Sequence, residues 1–243
     1  MRKDGREPGQ LRPVKIERRY TRTAAGSVLI EMGGTRVLCT ASVEPEVPAF
    51  LEGTGKGWLT AEYNMLPGST RPRKKRDRAG KPDGRSVEIQ RLIGRSLRTT
   101  VRLTVLAGYT AWLDCDVLDA DGGTRTASVT GAFIALVDAV ADSPLAGRAG
   151  ELFVDSVSAV SVGLHDGVVL LDLDYSEDSV AGVDMNLVMT GSGKFVEVQG
   201  TSENEPFSSA ELDSMVALGR QGIETLTRLQ RATLAAGWPL PRG

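Results

Sequence analysis

The chain has 243 residues, 41% hydrophobic and 25% charged, with a formal net charge of −2. That length buries a sizeable core in one large domain or two small ones, and the near-neutral charge leaves any affinity for polyanions to local clusters. No apolar run is long enough to span a bilayer, and Met1 to Gln10 has no signal-peptide pattern, so a cytoplasmic protein without membrane contact is expected. Cys39 and Cys115 both fall in apolar strand patterns and read as buried thiols of a reducing compartment. The one histidine, His165, lies in the turn-like LHDGV, which makes a Ser-His-Asp triad a poor fit.

In chain order, Met1 to Arg12 is polar and is expected to be an extended arm. Pro13 to Tyr20 alternates as a strand. Ser27 to Met32 and Thr35 to Val43 form a hairpin about Gly33-Gly34, and Trp58 to Tyr63 adds another strand. Next comes LPGSTRPRKKRDRAGKPDGR. Arg71, Arg73, Lys74, Lys75, Arg76 and Arg78 crowd into this stretch, and Pro72, Gly80, Pro82 and Gly84 forbid regular structure. The expectation is a mobile basic loop over about residues 68–84. It suits either a solvated surface or a polyanion. No aromatic side chains interleave, so phosphate contact is expected there and base stacking is not. Arg85 opens a helix running to Arg102, with Ile89, Leu92, Ile93 and Leu97 as its apolar stripe. Arg91, Arg95, Arg98 and Arg102 form a second stripe, expected to face solvent or another subunit.

The stretch LDCDVLDADGGTRT, Leu113 to Thr126, is a near period-2 strand, a double-glycine turn and the opening of a small-residue apolar helix. Two glycines before a helix let backbone N–H groups approach an anion, and the helix dipole favours negative charge there. Thr124 adds a hydroxyl and Arg125 a planar guanidinium suited to phosphate. The competing reading is a tight turn with Thr124 or Asp121 as N-cap.

Further on, Ser156 to Leu164 and Val168 to Asp174 make a hairpin about Asp166-Gly167. Asp184 to Thr190 and Phe195 to Thr201 add two strands. Ser208 and Glu211 form a capping box for a last helix with Leu212, Met215, Val216, Ile223, Leu226 and Leu229 inward. Each half thus carries hairpins and then a helix, which suggests an α+β fold with an internal pseudo-repeat. In YSEDSVAGVDMN, Asp178 falls in a connection and Asp184 heads a strand. Two converging carboxylates suit Mg²⁺ or Mn²⁺, and the same residues also suit a polar capping loop.

Together these segments resemble the ribonuclease PH family of phosphorolytic exoribonucleases. The resemblance covers nearly the whole chain: RPV at Arg12, TRVLCTASVE at Thr35, GWLTAEYNMLP at Gly57, GRSVEIQRLIGRSLR at Gly84, LDCDVLDADGGTRTASVTGA at Leu113, EDSVAGVDMN at Glu177 and EVQGTSENEPF at Glu197. One departure is Gly68, where many members carry arginine. The resemblance implies a duplicated ββαβαβ-type unit, ribosomal protein S5 domain 2-like, as a single domain over residues 1–243. It implies that Arg85, Gly123, Thr124 and Arg125 bind phosphate, and that Asp178 and Asp184 are the catalytic and metal carboxylates. It implies that Arg71 to Arg78 guide tRNA, and that the assembly is a homo-hexamer, a trimer of dimers. The implied reaction trims tRNA precursors, using inorganic phosphate to release nucleoside 5′-diphosphates, and is reversible. Two alternatives remain. A non-catalytic RNA-binding ring subunit would be expected to lose Arg125 or the aspartate pair, and a hydrolytic nuclease would show a larger carboxylate set.

Overall fold

The computed structural model describes residues 2–76, 83–203 and 206–240. Alternating strands joined by short turns build the first sheet. β1 (Val14–Arg18), β2 (Gly26–Met32) and β3 (Thr35–Glu44) form an antiparallel meander. β4 (Trp58–Met65) leads through α1 (Gly84–Arg98) to β5 (Thr110–Asp119). β5 pairs parallel with β4 and antiparallel with β3, giving the order β1-β2-β3-β5-β4. A parallel pair needs a crossover, and α1 supplies it. The alternation along β5 divides its faces: Leu113, Cys115 and Val117 are buried inward, while Asp114 and Asp116 are half-buried on the other side.

α2 (Thr124–Ala141) follows β5 and is buried along nearly its whole length, every residue but Arg125 and Ala141. Its composition explains this. A helix with no polar face needs apolar neighbours on every side, and α2 touches β2 and β3 of the first sheet and β6 of the second. After α3 (Ala149–Leu152), β6 (Val157–His165) and β7 (Val168–Leu171) form the expected hairpin. Then come α4 (Tyr175–Asp178), β8 (Val183–Thr190), β9 (Phe195–Ser202) and α5 (Ser209–Leu234). This sheet runs β7-β6-β8-β9, antiparallel throughout. α5 starts with the Ser208–Glu211 capping box and buries Met215, Ile223 and Leu226 against β6 and β7, while Leu212, Val216 and Leu229 are partly buried on the same core. One hydrophobic cluster runs from Val28 through Phe133 to Leu226, so both sheets share a core with α2 in its middle. No single helix among the described residues is long and apolar enough to cross a membrane.

Several boundaries differ from expectation, each for a local reason. α1 stops at Arg98, short of Arg102, because the hydroxyls of Thr99 and Thr100 donate back to the carbonyls of Ser96 and Leu97, both at 2.7 Å. α2 starts at Thr124, and its N-cap is Gly123, so neither Thr124 nor Asp121 caps it. β7 ends at Leu171 because Asp172 turns the chain with a φ of 54°. Asp178 closes the short helix α4, which the capping box of Asp174 and Glu177 nucleates. The pseudo-repeat is approximate: the parallel β4-α1-β5 crossover of the first half has only the antiparallel β8–β9 pair opposite it. Cys39 and Cys115 are cross-strand neighbours and free, with sulfurs 3.8 Å apart. The Cys39 contact, and then burial, raise the Cys115 thiol, so it stays protonated.

Candidate active site

The turn between β5 and α2 is built from two left-handed glycines. Gly122 has φ 75° and Gly123 φ 65°, which other residues adopt with strain. Space demands glycine as well: a Cβ on Gly122 would sit 2.5 Å from the Leu173 carbonyl oxygen, and one on Gly123 2.9 Å from the Arg12 guanidinium. The first approach has a structural consequence. It lays the turn against the segment that enters α4, and so brings Asp178 beside the N-terminus of α2.

These residues line a cavity of about 710 Å³, with Arg85, Gly122, Gly123, Thr124 and Asp178 on its walls and Gly68 and Arg71 among the residues from the preceding loop. Arg85 sits in the first turn of α1, where the Asp83 carboxylate accepts from its backbone N–H at 3.3 Å. The Thr124 hydroxyl is hydrogen-bonded to the Tyr63 hydroxyl at 2.8 Å. Burial pushes the Tyr63 phenol up, so it stays a neutral hydrogen-bonding group. Arg125 donates to Glu88 at 3.1 Å and to Gln199 at 2.8 Å, and Gln199 donates to Glu88 at 3.2 Å. Its guanidinium is thus braced between α1 and β9. This wall sets Arg85, the Thr124 hydroxyl and a helix N-terminus on the cavity, with Arg125 behind it and outside the lining, a set of groups suited to an anion such as phosphate.

The acidic wall begins at Asp178, which lines the cavity, with Asp184 behind it and outside the lining. Asp178 ends α4 and Asp184 lies near the start of β8. Burial raises Asp184 to about 6, and the charge of Asp178 adds to the rise against the opposing pull of Arg125 and Arg85. Burial also raises Asp178, against Arg85, Arg125 and Arg12. Asp184 Oδ1 is buried without a hydrogen-bond partner. An unpartnered buried carboxylate oxygen beside a like charge is a donor set that fits a hard divalent cation. Among the described residues no three His, Cys, Asp or Glu side chains converge on one point, so such a cation would take the rest of its shell from water and ligand oxygens.

The basic loop divides. Arg73, Lys75 and Arg76 are exposed, and Arg71 is exposed at the cavity. Lys74 instead turns back to Asp83 at 2.9 Å and closes the loop onto the start of α1. Arg78 lies outside the described residues. On α1, Arg91 and Arg95 are exposed, as expected of a solvated stripe, and Arg95 pairs with Glu197. Arg98 is different: it stacks over Trp58 at 4.7 Å and donates to the Leu59 carbonyl at 2.9 Å.

Sequence reasoning missed several site residues. Tyr63 reads as one more core aromatic of a strand. Glu88 and Gln199 lie in segments that carry the family resemblance, but nothing local in sequence ties either to Arg125. The N-terminal arm is the largest correction, because Arg2, Arg6 and Arg12 are buried, at 8%, 8% and 3% exposure. Arg2 binds both oxygens of Glu177, and Arg12 binds both oxygens of Asp172. His165 lies 3.5 Å from Asp166 and lines no part of the cavity beside Arg85.

Comparison with known proteins identifies the family. Residues 10–142 match the 3′ exoribonuclease family, domain 1, and residues 155–222 match domain 2 of the same family. A ribonuclease PH from Moorella thermoacetica is 55% identical over 236 residues, 96% of this chain and 94% of the relative. Among solved structures, Rrp46 from rice superposes with a TM-score of 0.78 at 22% identity, covering 96% of this chain and 100% of the other. The Archaeoglobus fulgidus exosome with RNA bound to the active site gives 0.77 at 22% identity, covering 94% and 92%. At that identity the two structures show a shared fold. With the two family matches and the close relative spanning nearly its whole length, the chain belongs to the 3′ exoribonuclease family of ribonuclease PH.

Proposed function

We propose that the protein is a phosphate-dependent 3′-to-5′ exoribonuclease that trims tRNA precursors: RNA(n) plus phosphate gives RNA(n−1) plus a nucleoside 5′-diphosphate. The observation that carries this reading is a cavity lined by Arg85, Gly123, Thr124 and Asp178, with Arg125 and Asp184 beside it and the two aspartates in mutual electrostatic contact.

Inorganic phosphate is already an anion near neutral pH, so it needs no strong general base, in keeping with a cavity that His165 does not line. It needs to be held in line with the last phosphodiester against charge repulsion. Arg85, Arg125, the Thr124 hydroxyl and the turn amides supply that by position and charge. An oxygen of hydrogen phosphate forms a bond to the terminal phosphorus as the bond from that phosphorus to the 3′ oxygen breaks, and the proton that hydrogen phosphate gives up passes to the departing oxygen, which leaves the shortened RNA with a 3′ hydroxyl. Asp178 and Asp184 would hold Mg²⁺ or Mn²⁺, whose charge offsets that of the transferring phosphoryl and the departing 3′ oxygen. Arg71, Arg73, Lys75 and Arg76 would contact the backbone of a long substrate. Several such loops around one opening would hold structured tRNA, and a homo-hexameric trimer of dimers provides that arrangement. The exposed edge strand β9, with Phe195 and Val198 open to solvent, is consistent with further assembly. Two free adjacent thiols suit the reducing cytoplasm.

Because an ester is exchanged for a phosphoanhydride, the reaction runs in both directions. Supplied with nucleoside diphosphates and a short RNA, the protein should lengthen the RNA and release inorganic phosphate in equal amount. RNA that shortens with phosphate yet never lengthens with diphosphates would contradict the reading.

A further inference from the structure

The reaction as described makes no use of the buried arginines of the N-terminal segment, and one of them reaches the phosphate turn from behind. Arg12 donates from Nε and its backbone N–H to one oxygen of Asp172, at 3.1 and 2.8 Å, and from Nη2 to the other at 2.6 Å. The same guanidinium donates to the carbonyls of Asp121 and Gly122. Thr35, in β3, grips the same turn: its hydroxyl donates to the Gly122 carbonyl and accepts from the Asp121 N–H at 2.9 Å. Asp121 in turn accepts from the N–H of Tyr175, the first residue of α4, at 3.3 Å.

Peptide geometry gives these contacts a consequence. In a trans peptide the N–H points away from the C=O. Holding the Asp121 and Gly122 carbonyls toward Arg12 and Thr35 therefore turns the N–H groups of Gly122 and Gly123 the other way, into the cavity those glycines line. Asp172 is fully buried and, though not glycine, holds a φ of 54°, a conformation that persists where its surroundings fix it. Its carboxylate is the anchor for Arg12, and its carbonyl accepts from Arg2 and Arg6, both at 3.0 Å. The turn, the N-terminal segment and the entry to α4 are thereby locked into one unit.

We propose that Arg12, together with Thr35, is a positioning residue of the phosphate subsite. Neither touches phosphate. They fix the direction of the turn amides and, through Asp172, the placement of α4 and Asp178 against the turn. This rests on the reading that the Gly122–Arg125 turn holds phosphate.

The test uses the intact protein with inorganic phosphate, scored by thermal stabilisation and by kcat and KM for phosphate on a short RNA. Thr35→Val keeps the shape and removes the hydroxyl, and Arg12→Lys keeps the charge and removes the fork. Arg18→Met is the control, since it breaks another two-contact Arg–Asp pair, with the Asp138 carboxylate, away from the turn. Phosphate should stabilise the parent protein. Thr35→Val and Arg12→Lys should each raise the phosphate KM about tenfold, the worth of one well-placed hydrogen bond, with RNA affinity unchanged. Arg18→Met should lower the melting temperature and leave that KM alone. If phosphate fails to stabilise the parent, the phosphate reading itself falls. If it stabilises the parent and Thr35→Val alike, with equal KM, the positioning role is overturned while the phosphate reading stands. Should Arg12→Lys not fold, Thr35→Val decides. An equal rise in phosphate KM for Arg18→Met would also overturn the proposal, by showing that general destabilisation is enough.

Discussion

The two walls of the cavity are finished to different degrees. On the basic wall almost every group has a partner: Thr124 on Tyr63, Arg125 on Glu88 and Gln199, and the turn carbonyls on Arg12 and Thr35. On the acidic wall Asp184 keeps a buried oxygen without a partner and is pushed up to about 6 by burial and by Asp178. A pre-organised anion site reorganises little when phosphate arrives, which is where electrostatic catalysis gains most. A strained carboxylate pair gains when a cation relieves it. One wall is ready for its ligand, and the other keeps a buried carboxylate oxygen without a partner.

The largest expected effect comes from breaking the incomplete wall. Asp184→Asn or Asp178→Asn keeps size and removes charge, so turnover should fall by about three orders of magnitude while the fold survives. Single-turnover trimming at saturating phosphate measures it, and near-parental rates in either variant would remove that residue from the chemistry.

The same strain should register in stability without any substrate. The folded pKa of Asp184, about 6, lies above its ordinary 3.8. Its contribution is therefore fully present below pH 3.8 and is lost as pH rises through about 6, amounting to about 3 kcal/mol. Urea unfolding of the metal-free protein from pH 4 to pH 8, beside Asp184→Asn, should show the variant gaining on the parent as pH rises, and Mg²⁺ should close the gap. Parallel curves for the two proteins would show that Asp184 carries no such penalty.

Breaking the finished wall should cost less. Arg125→Ala or Arg85→Ala should raise the phosphate KM by about tenfold to a hundredfold and leave RNA affinity in place. Arg125→Ala should also free Glu88 and Gln199 from their brace. Titrating phosphate against each variant is the check, and an unchanged KM in both would take them out of the subsite.

The smallest effect lies in the basic loop. Replacing Arg73, Lys75 and Arg76 together with Ala should lower the log–log salt dependence of tRNA binding by about one unit per lost contact, with a short oligonucleotide cleaved as before. Lys74→Ala should instead loosen the start of α1, because Lys74 is spent on Asp83. Equal losses on long and short substrates would put the loop in the chemistry.

The sequence discloses one wall more fully than what stands behind it. The Gly122-Gly123 turn, the Arg85 helix start and the Asp178–Asp184 spacing are local patterns, each legible within a dozen residues. The strand pairs and the buried run of α2 follow from periodicity in the same way. The Arg12–Asp172 and Arg2–Glu177 pairs are not legible, because 160 and 175 residues separate the partners and an arginine in a polar stretch looks solvated. The inward turn of Lys74 hides for a related reason, since a run of cations gives no sign of which one has a carboxylate waiting. Caps and ends such as Gly123, Thr99 and Thr100 depend on single hydrogen bonds or a single backbone angle, finer than any hydrophobic pattern.

The central claim is that phosphate, and not water, attacks the RNA. Trimming a short RNA in isotopically labelled water, with and without phosphate, and weighing the released nucleotide tests it directly. Phosphorolysis predicts no release without phosphate and, with it, a nucleoside diphosphate that carries no oxygen from the solvent. A nucleoside monophosphate bearing one solvent oxygen would contradict it.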